Sequence, residues 1–273
     1  MAHAQQARYS NLVDAKLRST LVKKDGVIFN TRYEGNPTAG VVKIPVRDTE
    51  VTVSDYSKTD GANATHGDTA YVDLILDKDK AINEVIDGYD AASVPDNLVA
   101  DRLDSGTYSM ALQMEKDGTD ALEAAATVTG GTDALAANTV YDLLVDFRTA
   151  MSKAHVPNDG KRWALMSPDA YGLVLKNENF IHPTNLGDEV LQTGALGKIA
   201  GFLVFEDPTL SDTTDFITGH PDWCSRVGEW SVGVHVQDLN GSGKYIGASA
   251  VQGRKVYGHK VTKPKTLLIK KHA

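Results

Sequence analysis

The densest gathering of chemically capable side chains is His220-Pro221-Asp222-Trp223-Cys224, an imidazole, a carboxylate and a thiol within five residues. Such groups can ligate a metal ion or pair as nucleophile and base. Proline and tryptophan between them make convergence on one ion awkward, so the expectation is a structural turn. The eight histidines are otherwise scattered, and none falls in a His-x-x-x-His or Cys-x-x-Cys arrangement. His235 sits on the polar side of a strand pattern, where a solvated or hydrogen-bonded ring is expected. Cys224 is the single cysteine, which rules out an intrachain disulfide. It becomes a nucleophile only if the fold brings a histidine to it; a lone cysteine is more often a small buried hydrophobe.

Other motifs carry less. Gly241-Ser242-Gly243-Lys244-Tyr245-Ile246-Gly247 approaches a dinucleotide fingerprint, but its third glycine comes one place late and a β-rich segment follows it. No helix N-terminus is then available to hold phosphate, and Lys244 lacks the Ser or Thr of a Walker motif. A β-turn is expected. No Gly-x-Ser-x-Gly elbow occurs. The series Asp73, Asp77, Asp79, Glu84, Asp87 and Asp90 lacks the spacing of a calcium loop and reads as a solvated or subunit-facing acidic edge. Asn63-Ala64-Thr65 and Asn240-Gly241-Ser242 match the glycosylation pattern, which has meaning only on a secreted chain. No catalytic residue, cofactor site or metal site is predicted.

The elements that would position these groups have a clear order. Residues 2–24 are polar and suggest a partly helical arm, too poor in leucine (Leu12, Leu17, Leu21) to anchor firmly. Val41-Val42-Lys43-Ile44-Pro45-Val46, Val51-Thr52-Val53 and residues 71–76 are β-prone runs. Residues 55–68 between them contain almost nothing apolar and should project into solvent or onto a neighbouring molecule. Ser93 is placed to cap a helix with Pro95 in its first turn, and Val99, Leu103, Gly106, Met110 and Met114 mark its face. Gly106 there costs about 1 kcal/mol relative to alanine, which points to close packing or a bend. Gly130-Gly131-Thr132 breaks the chain. Thr139 and Asp142 open the clearest helix, with Val140, Leu143, Leu144, Phe147, Met151 and Ala154 as its apolar stripe. Pro157 and Gly160 end it, Trp163-Ala164-Leu165-Met166 forms a short strand, and Ser167-Pro168-Asp169 starts another helix. Trp230, Val232, Val234 and Val236 alternate with polar residues as a half-buried strand, and residues 245–260 and 266–269 read as further strands.

Bulk properties fit this picture. The chain has 273 residues, enough for one large domain or two modest ones. A formal charge of −8 argues against a dedicated nucleic-acid binder. The first eight residues lack the apolar centre of a signal peptide, and no run reaches membrane-spanning length, so synthesis and assembly in the cytosol are expected.

In sequence order these segments resemble a tailed-phage major capsid protein of the Hong Kong 97-type fold. Ala39-Gly40-Val41-Val42-Lys43-Ile44-Pro45 resembles the lead-in to that family's extended loop, and Ala81-Ile82-Asn83-Glu84-Val85-Ile86-Asp87 its return. The helix over about 95–116 resembles the long spine helix. The helix over 139–154, the strand over 162–168, Gly194-Ala195-Leu196-Gly197-Lys198-Ile199-Ala200-Gly201-Phe202 and the strand at 203–206 resemble the axial domain. Tyr245-Ile246-Gly247-Ala248-Ser249 and residues 256–269 resemble the strands that return to the peripheral domain. The resemblance implies an α+β fold with an N-terminal arm at 1–38 and an extended β-hairpin loop at 39–80. It places the peripheral domain, with its spine helix, at 81–130 and 245–273, and the axial domain at 131–244. It implies no enzyme but a virion shell subunit, assembled in the host cytoplasm from hexamers and pentamers into an icosahedral procapsid around double-stranded DNA. Implied partners are further copies of the chain, a portal protein, a decoration protein in some systems, and a scaffolding protein separate from the short arm. There is no membrane partner and no sequence-specific DNA contact. Asp55, Lys58 and Asp60 in the loop are the candidate intersubunit contacts; Lys58 has no identifiable asparagine partner for a crosslink. Two alternatives stand beside this: a cellular nanocompartment shell of the same fold (encapsulin-like), and a soluble α/β enzyme using residues 220–224.

Overall fold

The computed structural model describes residues 16–33, 40–47, 50–61, 67, 69–94, 97–177 and 197–273. The expectations placed on Leu12, Ala39, Asn63-Ala64-Thr65, Pro95 and Gly194-Ala195-Leu196 lie outside the described residues.

Two antiparallel strands, β1 (Val41–Val46) and β2 (Ala70–Ile75), form a hairpin whose base is apolar. Ile44, Val46 and Leu74 are buried there with Val227. The β-prone run forms the predicted strand, and the two-residue period of a strand puts Ile44 and Val46 on one face. Val51 and Val53 are 86% and 94% exposed and belong to no strand, so β-propensity alone did not organise them.

A second sheet has the order β3-β10-β9, built from Lys78–Ile86, Ser249–Val261 and Cys224–Asp238. A short helix α1 (Gly88–Ser93) follows β3, capped by the Asp87 carboxylate, which accepts from Tyr89 N at 2.8 Å. Ser93 is therefore the end of α1 and not the cap of the long helix, and its hydroxyl donates to Asp90 O. The long helix α2 is Leu98–Ala125, with Asn97 at its N-cap in the left-handed region. It crosses the sheet at Gly106, where an added Cβ would lie 3.3 Å from Val234 and 3.5 Å from Val251. Gly106 marks close packing. The helix also runs beyond the expected end near residue 116, and buried polar groups there are met by other parts of the chain: Glu115 by Lys23 N, Asp117 by the Tyr257 hydroxyl and Thr119 by the Thr209 hydroxyl.

The third sheet is six-stranded, in the order β4-β11-β8-β5-β7-β6. Its strands are Thr127–Val128, Leu268–Lys271, Thr214–Gly219, Trp163–Met166, Phe202–Glu206 and Lys198–Ile199. Helices α3 (Val140–Lys153) and α4 (Pro168–Leu175) cover one face, and Val140, Leu144, Phe147 and Met151 supply the predicted stripe. The other face, with Trp163, Leu165, Ile217 and Ile269, packs with Ile28, Phe29 and Leu122. Ser167 caps α4 as its sequence predicts, accepting from Ala170 N. Thr139 occupies the N-cap of α3 but makes no capping bond; its hydroxyl turns back to Ala136 O.

Hydrogen bonding divides the strands differently from the sequence boundaries at 131–244 and 245–273. Strand β9 lies in the sheet with β3, because it pairs with β10 from Cys224 to Asp238. Strand β11 lies in the six-stranded sheet between β4 and β8. Strand β10 begins at Ser249, not 245, and Tyr245 and Ile246 stay exposed in the turn.

Candidate assembly surface

The loop between β1 and β2 holds all three candidate contact residues. Ser57 N donates to Gly61 O at 3.1 Å and Gly61 N returns to Ser57 O at 2.8 Å, closing a tight turn. The Ser57 hydroxyl accepts from Thr59 N and Asp60 N, and Gly61 supplies the positive φ of 75° that the turn needs. Lys58 and Asp60 are thereby presented at the turn and Asp55 just before it, all exposed. Val51, Val53 and Tyr56 are exposed in the same stretch. A loop that shows valine, valine and tyrosine to water, with no core of its own among the described residues, has the composition of a contact surface.

The N-terminal segment is held by polar groups that leucine spacing does not reveal. Residues 16–24 form no helix and run along α2. Lys16 pairs with Asp101 at 2.7 Å, Arg18 with Asp104 at 2.5 Å, and Ser19 with the Tyr108 hydroxyl at 3.0 Å. Leu17 is wholly exposed. Glu115 then accepts from Val22 N and Lys23 N at 3.2 and 2.8 Å. The Lys23 ammonium is buried against the Asp207 carboxylate and donates to Thr209 at 2.7 Å. One lysine thus ties the arm to α2 and to the turn after β7. In sequence each stands beside another charged residue, Lys24 and Glu206, so nothing local singles out this pair for burial.

A second buried group sits under α2. His259 lies between Phe29, at 5.1 Å between ring centroids, and Tyr257, at 5.6 Å. Both its ring nitrogens are buried and make no hydrogen bond among the described residues. Burial, with the nearby Arg226 guanidinium, pushes the imidazole down from 6.5 to about 4. Tyr257 donates to Asp117 at 2.6 Å, and burial together with that carboxylate pushes the phenol up.

The His220–Cys224 region forms a clasp. Nε2 of His220 faces the Asp159 carboxylate at 3.1 Å, while Nδ1 accepts from Asp222 N at 3.2 Å. That fixes the proton on Nε2 and occupies both nitrogens. Burial tends to raise Asp159, but the bonds from His220 and Lys161 N prevail and hold it at about 2. The Cys224 thiol is wholly buried and pushed up to about 12. A saturated imidazole and a protonated, inaccessible thiol do not make a nucleophile and base. The acidic series is likewise engaged: Arg254 grips Asp79 with two bonds, and Arg102 grips Glu84 with two at 2.8 Å. The 241–247 turn is exposed, and Lys244 lies over the Tyr245 ring. No group of three or more potential metal-ligating side chains occurs among the described residues, and no helix there is long and apolar enough to cross a membrane.

Residues 84–268 match the phage capsid protein family, and the chain belongs to it. No curated protein matches the chain. Among solved structures, that of Mycobacterium phage Che8 is 23% identical with a TM-score of 0.82, over 97% of this chain and 96% of that one. The capsid structure of the cyanophage P-SCSP1u is 13% identical with a TM-score of 0.80, over 98% and 93% of the two chains. The capsid of the native GTA particle is 14% identical with a TM-score of 0.71, over 98% and 95%. The fold is thus the α+β, Hong Kong 97-type fold of tailed-phage major capsid proteins, and the chain is a phage shell protein and part of the virion.

Proposed function

We infer that many copies of this chain assemble, through rings of five and six, into an icosahedral head that encloses double-stranded DNA. The observation that carries this reading is the hairpin loop: in a member of a capsid family, it exposes Val51, Val53 and Tyr56 with no core among the described residues to cover them. Weak contacts of that kind stabilise a shell when each is repeated around a closed symmetry. Asp55, Lys58 and Asp60 are the polar members of that contact. The unit of α2 with β3, β10 and β9 serves as the peripheral domain, and the six-stranded sheet with α3 and α4 as the axial domain. A scaffolding protein and a portal protein act during assembly in the host cytoplasm, with a decoration protein where one is used. The chain acts as wall and not as catalyst. The net charge of −8 suits a wall that does not adhere to packed DNA.

Nuclease challenge tests the contents. Particles made with the neighbouring head genes should yield double-stranded DNA that survives DNase until the protein is denatured. Particles that hold only protein cargo would contradict the DNA-enclosing reading.

A further inference from the structure

His259 sits where three elements meet. Its ring lies against Phe29 of the N-terminal segment, against Tyr257 on its own strand β10, and beside α2 at Gly118. An added Cβ at Gly118 would lie 3.1 Å from the Phe29 ring and 3.4 Å from His259 Nε2, so helix, arm and imidazole are closely packed. Neither ring nitrogen has a hydrogen-bond partner among the described residues. The charged and titratable groups around the ring are Arg226 from β9, Asp117 from α2, Tyr257 from β10, and Asp77 and Lys78 at the start of β3. Asp25 on the arm pairs with Arg226, whose guanidinium lies 5.4 Å from the centre of the Phe29 ring. Asp117 already accepts from the Tyr257 hydroxyl and from Gln113, and Lys80 stands 3.9 Å away. A proton on His259 therefore puts a buried cation beside a phenyl ring and a guanidinium, with the α2 carboxylate already engaged.

Of the elements around the ring, the arm is the one that can give way. Strand β10 is paired on both sides, and α2 is a helix of 28 residues. Residues 25–30 are held by less. Gly26 N donates to Phe29 O at 2.7 Å, Asn30 exchanges backbone bonds with Cys224 O and Arg226 N at 2.8 and 2.9 Å, and Asp25 pairs with Arg226. Just before them, Lys23 is anchored in its buried pair with Asp207. We propose that His259 is an acid-sensitive latch: its protonation lifts residues 25–30 off α2 and the start of β9, while both larger sheets stay folded. Opening brings water to the imidazolium and withdraws Phe29 from its face. The sign follows from the depressed folded value. Below pH 6.5 the open form takes up a proton that the closed form refuses, so the ratio of open to closed rises about tenfold per pH unit until about pH 4.

Hydrogen exchange of the full-length chain at pH 7 and pH 4.5, corrected for the intrinsic effect of pH on exchange, reads the latch. Protection over residues 25–30 should fall by about 50-fold in wild type. Helix α3 and strand β5, which open only when the chain unfolds, should stay more protected than the arm at both pH values. In His259→Phe, which keeps an aromatic ring and removes the titration, arm protection should change by less than about threefold. Circular dichroism at pH 7 shows whether that variant folds, and His259→Leu takes its place if it does not. An arm that keeps its protection at pH 4.5, or loses it equally in the variant, overturns the latch. Arm, α3 and β5 exchanging at one common protection also overturns it, because the arm then opens only with the whole molecule.

Discussion

Lys23 and His259 show what burial does to single polar groups. The Lys23 ammonium and Asp207 carboxylate are fully buried, so removing either leaves an uncompensated charge. Lys23→Met should lose about 3–5 kcal/mol in urea unfolding, and Asp207→Asn added to it should restore part of that loss. A loss in the double equal to the sum of the singles would show that the two groups are not coupled. His259 acts through pH. Its folded value of about 4 lies below the ordinary 6.5, so from pH 6.5 downward the unfolded chain takes up a proton that the folded chain refuses. Stability contributed by the neutral ring is complete above pH 6.5 and has fallen by about 3 kcal/mol at pH 4. The groups around the ring are Arg226, Asp117, Asp77 and Lys78. His259→Leu should flatten the stability profile between pH 6.5 and 4 relative to wild type; identical profiles would remove the histidine from the account.

At the scale of elements, glycines separate backbone contact from backbone freedom. An added Cβ at Gly258 of β10 would lie 2.2 Å from Ile75 O at the base of the hairpin, where no rotamer can relieve the clash. Gly258→Ala should cost about 1–3 kcal/mol and loosen the hairpin's seat. Gly172 in α4 meets nothing within 4 Å, so Gly172→Ala should gain about 0.5–1 kcal/mol from helix propensity. Thermal unfolding of the two variants decides both; shifts of the same sign would refute the distinction. The sequence made several elements legible: β1 follows from a β-branched run, α3 from a 3.6-residue stripe, β5 from a short apolar run between a turn and a cap, and the start of α4 from the chemistry of Ser167. It was silent where tertiary partners override local pattern. Past residue 115 the helix buries polar side chains that distant groups satisfy: Lys23 N meets Glu115, Tyr257 meets Asp117 and Thr209 meets Thr119. Val51 and Val53 look like a strand but pair with no strand among the described residues. Long-range pairing also sends β9 and β11 to sheets that sequence order alone did not indicate. Of the candidate contacts, the loop position of Asp55, Lys58 and Asp60 was readable, whereas the turn closed between Ser57 and Gly61 that presents them was not.

The whole molecule has two sheet-based units, an arm threaded along its longest helix, and a hairpin whose outer half exposes apolar side chains. An arrangement with good internal cores and an uncovered projecting loop is that of a protomer, stable enough to fold and finished by its neighbours. Its surface should therefore change most in protection when neighbours arrive. Hydrogen exchange should slow over residues 50–61 on assembly, with α3 and β5 unchanged; equal exchange before and after would contradict an interface there. The most direct measurement is electron microscopy of the full chain expressed alone and with the genes beside its own. Closed shells, or rings of five or six subunits, are the predicted result. A monodisperse monomer or small dimer under both conditions would contradict the shell account.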